Sequence, residues 1–110
     1  MPRESYVQRE ILRLWGSHPR VRLWRANAGR ALVATAAGGL RPLRVNIPGC
    51  PDLIGWIAPA GRFLGIECKG DGGKLRPEQA AFRDRLEKDG GIYIEARSVE
   101  DVDRVLGGMV

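Results

Sequence analysis

From Glu4 to Trp15 apolar residues recur at three- and four-residue steps, with Val7, Ile11, Leu14 and Trp15 on one face. That spacing predicts an amphipathic helix, and Gly16-Ser17-His18-Pro19 stops it. Val21–Arg25 then roughly alternates apolar and basic residues, the period of a strand with one wet face. The stretch 26–50 is rich in Ala and Gly and carries two short strand patterns, Ala31–Ala34 and Leu43–Ile47. Two stronger apolar runs follow, Asp52–Ala58 and Arg62–Lys69, joined by Pro59-Ala60-Gly61 in the manner of a β-hairpin. Gly70–Gly73 reads as a loop. Pro77 suits the first position of a helix running to about Lys88, and Gly90-Gly91 ends it. Ile92–Ala96 is another strand pattern, and Ser98-Val-Glu-Asp101 resembles a capping box that opens a last helix through Val105. Helix, strands, helix, strand, helix around one mixed sheet predicts an α/β or α+β fold, with residues 1–110 as a single domain.

Composition narrows the class. A chain of 110 residues, 44% hydrophobic and 28% charged, can bury a core without disulfide or metal staples and is not a disordered type. No apolar run approaches the roughly 18 residues of a membrane helix, and no charged-then-apolar leader opens the chain. A soluble cytoplasmic protein without a membrane partner is the expectation. Cys50 and Cys68 have no C-x-x-C pair around them, which argues against a zinc site and for reduced thiols. His18 is the only histidine and sits beside Pro19 in a turn, so histidine-based chemistry has little support. Gly73-Lys74 fails the phosphate-loop spacing, because Cys68 and Leu75 stand where Gly and Ser or Thr are needed.

The charge is unevenly placed. Of the net +5, residues 1–50 carry nine Arg against Glu4 and Glu10, while residues 51–110 carry eleven acids against nine bases. An Arg-rich half suits a polyanionic partner, since guanidinium pairs bidentately with phosphate; a biased Arg usage on an ordinary surface is the alternative.

The candidate chemistry lies in the hairpin. Glu67 and Lys69 are two apart on a strand and emerge on one face, about 6–7 Å apart, whereas Cys68 points the other way. The Pro59–Gly61 turn pairs the strands so that Asp52 lies near the Glu67–Lys69 end. Two carboxylates and an ammonium then meet at one sheet edge, a set of hard oxygen ligands suited to Mg²⁺ or Mn²⁺. A Glu-x-Lys on a strand is ordinarily a solvated face. Here Phe63, Leu64 and Ile66 precede it and Leu53, Ile54, Trp56 and Ile57 oppose it, so charge at that place calls for a reason.

Pro51-Asp52, fourteen residues and then Glu67-Cys68-Lys69 resemble the PD-(D/E)XK nuclease signature. With Trp24–Gly29, Gly49–Ile54, Gly61–Lys69, Pro77-Glu-Gln79 and Gly90–Tyr93 in order, the chain is similar to the VRR-NUC (virus-type replication-repair nuclease) branch in its small stand-alone form. The resemblance implies a restriction-endonuclease-like mixed central sheet flanked by helices and divalent-metal-dependent hydrolysis of DNA. It further implies that Asp52 and Glu67 hold metal with the Cys68 backbone carbonyl, that Lys69 is the catalytic lysine, and that Gln79 and Glu4 complete the catalytic group. Periodicity agrees for the last two, placing each at the first turn of a helix on the inward face, above Phe82 and Leu86 and above Val7 and Ile11. Gln79 tying down a loop and Glu4 favouring a helix N-terminus are the plainer readings. Arg76 stands where the family has a small polar cap, and contact with phosphate is open to it.

Arg22, Arg25, Asn27, Arg30, Arg41 and Arg44 are the expected DNA contacts, against solvated surface charge as the alternative. Trp24 either stacks on a base or packs in the core. The expected activity is a DNA endonuclease of duplex or branched substrates; a non-catalytic DNA-binding module and a ribonuclease are the rivals. One catalytic set per chain, together with the dimers typical of stand-alone relatives, predicts a homodimer. The apolar stretch Ala31–Leu40 is the expected contact, or else an edge hairpin folded on its own sheet.

Overall fold

The computed structural model describes residues 3–26 and 29–110, with 29–31, 44 and 45 described by backbone alone. The chain runs α1 (Glu4–Leu14), β1 (Val21–Arg25), β2 (Gly29–Ala34), β3 (Leu40–Val45), β4 (Leu53–Ile57), β5 (Arg62–Cys68), α2 (Pro77–Lys88), β6 (Ile92–Ala96) and α3 (Val99–Leu106). Four strands form a mixed sheet in the order β1-β4-β5-β6, and β2 pairs with β3 as a separate two-stranded sheet. The α/β content and the mixed sheet are as expected, with β1, β4 and β5 antiparallel and β5 and β6 parallel. The strands do not all join one sheet, because β2 and β3 pair only with each other among the described residues. A parallel pair needs a long crossover, and α2 supplies it.

Strand alternation sorts the sheet into two faces. Leu53, Leu64, Ile66, Cys68, Ile94 and Ala96 are buried together with Val7 and Ile11 of α1 and Val102 and Leu106 of α3. The opposite parity of β5, Gly65 and Glu67, meets α2 instead. Gly65 has no side chain because Pro51 and Leu86 fill that space; a Cβ there would come within 2.8 Å of Pro51 Cγ. Gly49, at φ +79°, presses so closely on the Glu78 carbonyl that any side chain would collide with it. The Gly49 contact brings the segment before β4 against the first turn of α2, and Gly65 leaves room over β5 for Pro51 and Leu86.

Several local expectations shift. The buried stripe of α1 is Val7 and Ile11, followed by the partly buried Trp15 whose Nε1 donates to Asp103 of α3; Leu14 turns outward. His18, in the turn after α1, stacks on Trp15 and accepts the Arg20 N–H. β3 begins at Leu40 rather than Leu43, because Pro42 is tolerated in a two-stranded sheet where one side of each strand bonds nothing. It ends at Val45, since Asn46 takes a left-handed conformation at φ 67°. Ser98 caps α3 without a side-chain bond, and Asp101 accepts the Arg97 N–H one residue further out than a capping box requires.

Candidate active site

Among the described residues, the buried polar or charged side chains are Glu67, Lys69 and Gln79, 4%, 7% and 3% exposed. They are bonded to one another. Gln79 Nε2 donates to Glu67 Oε2 at 3.0 Å, and Lys69 Nζ donates to Gln79 Oε1 at 2.8 Å. Lys69 Nζ also stands 3.5 Å from Glu67 Oε2. The backbone N–H of Arg76 gives Gln79 Oε1 a second bond, at 2.9 Å. Each end of the Gln79 amide therefore has its proper partner, and the side chain fixes both strand residues from the start of α2.

Backbone geometry delivers each group. Lys69 extends the β5–β6 ladder by one residue through its N–H to the Ala96 carbonyl, 2.9 Å, so it keeps the parity of Glu67. Asp52 precedes β4 by one residue; its carbonyl accepts the Ala26 N–H and its Oδ2 accepts the Cys68 N–H, both at 2.9 Å. The Asp52 side chain thus ties β4 to the end of β5 beside Glu67. The Cys68 thiol faces the core, where burial pushes its pKa up.

Both carboxyls are held above their usual range. Burial first, and then Asp52, pushes Glu67 up to about 7, against the pull of Lys69. Burial also lifts Asp52, the Cys68 N–H opposes it, and Glu4 adds to the rise. Glu67 Oε1 is buried with no hydrogen-bond partner among the described residues. A buried carboxylate oxygen without a donor is costly and marks a place for a cation or a proton. Two carboxylates and a peptide carbonyl are hard oxygen donors of the kind Mg²⁺ and Mn²⁺ accept, so the residues fit such an ion. No three acidic, cysteine or histidine side chains gather round one point among the described residues, so water has to fill much of the coordination shell.

Glu4 differs from the inward position its periodicity predicts. It is exposed, and it reaches over the sheet end so that Oε1 accepts the Gly70 N–H at 3.2 Å. It stays close enough to Asp52 to be felt electrostatically but does not make a third acid of the group. Arg76 pairs with Glu78 at 2.8 Å. Arg22, Arg25 and Arg41 are exposed and make no ion pair among the described residues. Arg30 and Arg44 oppose each other in the β2–β3 register, with side chains outside the described set, and Asn27 lies outside the described residues.

Two residues join the site that periodicity does not single out. Arg97 donates to the carbonyls of Gly70 and Gly73, at 2.8 and 2.6 Å, and to Glu95 Oε1 at 2.8 Å. It anchors the loop that leaves Lys69. Tyr93 shares the face of Glu67, and its hydroxyl is buried without a partner among the described residues; burial, then Glu67, raises its pKa. Its i, i+2 step to Glu95 and its place beside the Gly90-Gly91 helix stop are the only signals in the sequence.

Residues 4–100 match the family model of the VRR-NUC domain. No curated protein matches the chain.

Proposed function

The chain belongs to the VRR-NUC family of nucleases, and from that premise we propose that it is a divalent-metal-dependent, structure-selective DNA endonuclease of replication, repair or recombination. One observation carries the reading: Glu67 is held through Oε2 by Gln79 and Lys69 while Oε1 stays buried and unpartnered. Asp52, Glu67 and the Cys68 carbonyl are the residues that would hold Mg²⁺ or Mn²⁺. When bound, the ion supplies Lewis-acid stabilisation of the charge that develops on the phosphate.

The remaining work falls to side chains. Lys69 Nζ has donors left beyond Gln79 and can hold the attacking water or steady a phosphate oxygen. The water oxygen bonds to phosphorus as the bond from phosphorus to the leaving sugar oxygen breaks; the water gives up a proton to solvent and the leaving oxygen takes one from solvent. Gln79 keeps Lys69 and Glu67 at fixed separation, and Glu4 orients the Gly70 turn beside them. Arg22, Arg25 and Arg41, all exposed, would contact phosphates of the bound DNA.

A homodimer belongs to the same proposal. Leu32 and Leu40 are each 68% exposed on the β2–β3 hairpin, an apolar surface suited to a second copy. Labelled duplex, forked and junction DNA, and RNA of the same shapes, incubated with and without Mg²⁺ or Mn²⁺, test the activity. Metal-dependent cutting of DNA is expected. Cutting confined to RNA, or binding with no cutting in any metal, contradicts it.

A further inference from the structure

The active face of the sheet is only half covered. Over β5 and β6 it meets α2, through Gln79 and Leu86. Over β1 and β4 it carries large aromatic side chains facing solvent: Trp24 is 46% exposed, Trp56 43% and Phe63, on β5, 39%. Trp24 and Trp56 meet edge to face, ring centroids 5.7 Å apart at 79°. Phe63 stands opposite Trp56 in the β4–β5 register, and Arg22 stands opposite Trp56 in the β1–β4 register.

Parity ties this patch to the acids. Trp24 opposes Ile54, two residues from Asp52, and Phe63 shares the parity of Glu67. Strand spacings put the Trp24 backbone about 8 Å from that of Asp52. That is within reach of a nucleotide or two along a strand whose phosphate lies at the acids. The edge-to-face contact fixes each indole against the other and leaves ring surface open. Arg22, exposed and without an ion pair among the described residues, supplies a charge for the strand's phosphates. A second copy of the chain suits this patch less well, because it would bury an unpaired Arg22 from each protomer against like charge.

We propose that Trp24, Trp56 and Phe63, with Arg22, form a platform on which unpaired DNA bases stack beside the cleavage centre. The platform rests on the nuclease reading for its substrate and refines it, selecting DNA with splayed or single-stranded character over continuous duplex.

Binding in EDTA separates the platform from cleavage. Anisotropy is read with labelled forked DNA, single-stranded DNA and fully paired duplex, using wild type, Trp24→Ala, Trp56→Ala and Trp24→Tyr. Each alanine variant should lose about tenfold or more in affinity for the fork and the single strand while duplex affinity changes little, and Trp24→Tyr should retain most of it. Wild-type tryptophan fluorescence should be quenched by single-stranded DNA, a readout that needs no variant to fold. Absence of quenching, or equal losses on duplex and fork in folded variants, overturns the platform. A fall from dimer to monomer in the alanine variants assigns the patch to a second copy and overturns it as well. Wild type that cuts DNA with variants unchanged in fork binding refutes the platform alone; the expected binding pattern without any cutting refutes the nuclease reading alone.

Discussion

Gln79 is the residue through which the rest of the site is organised. Its amide accepts from Lys69 and donates to Glu67, so truncation frees a buried ammonium and a buried carboxylate together. Gln79→Ala should lower kcat about 10–100-fold, with a smaller change in DNA affinity, as for other groups that orient metal ligands. Steady-state cleavage with matched binding assays checks this. Glu67 itself makes metal-free stability depend on pH. Its pKa is raised from the usual 4.5 to about 7 in the folded protein, so the folded state holds that proton more tightly than the unfolded chain. The stabilising contribution is then complete below about pH 4.5 and is lost as pH rises through 7. Thermal unfolding in EDTA should show Tm falling between pH 5 and 8, with a shallower fall for Glu67→Gln; parallel slopes would contradict the burial argument. Strand alternation made Glu67 and Lys69 legible and hairpin pairing brought Asp52 to them, whereas Gln79 came from the family resemblance, with which the α2 stripe agrees. Arg97 was not legible, because its role depends on a loop folding back to it, which no period encodes.

α1 carries two acids with different fates. Glu4 Oε1 meets the Gly70 N–H beyond Lys69, whereas Glu10 is paired on the surface with Arg13 at 3.1 Å, which lowers its pKa. Glu4→Gln should reduce turnover severalfold, and Glu10→Gln should leave it unchanged; equal effects would mean that α1 only covers the sheet. Helical periodicity found α1 but overstated how far Glu4 turns inward, since residues at the first turn can reach past the sheet edge without being buried. The central strands were legible because long apolar runs end in turn residues. β2 and β3 were less so, because short Ala- and Gly-rich strands have little buried face and their limits are set by pairing and by Asn46. Ser98 shows the limit of a motif: the Ser-x-x-Asp spacing is present, yet Asp101 bonds the Arg97 N–H.

Across the whole molecule, the proposed function assigns DNA binding to the basic N-terminal half and cutting to the acidic pair. DNA affinity should fall steeply with salt and vary little with base sequence, because contacts to phosphate release counterions. Arg22→Ala, Arg25→Ala and Arg41→Ala should each flatten the slope of log affinity against log salt by about one. Tight, salt-insensitive binding to one sequence would point elsewhere. The most direct test of the central claim is cleavage of labelled DNA in Mg²⁺ by wild type and Glu67→Gln side by side, with binding measured on the same samples. Wild type should cut; Glu67→Gln should not, while binding DNA at least as tightly, because a ligand and a repulsive charge leave together. Undiminished cutting by Glu67→Gln would contradict the account.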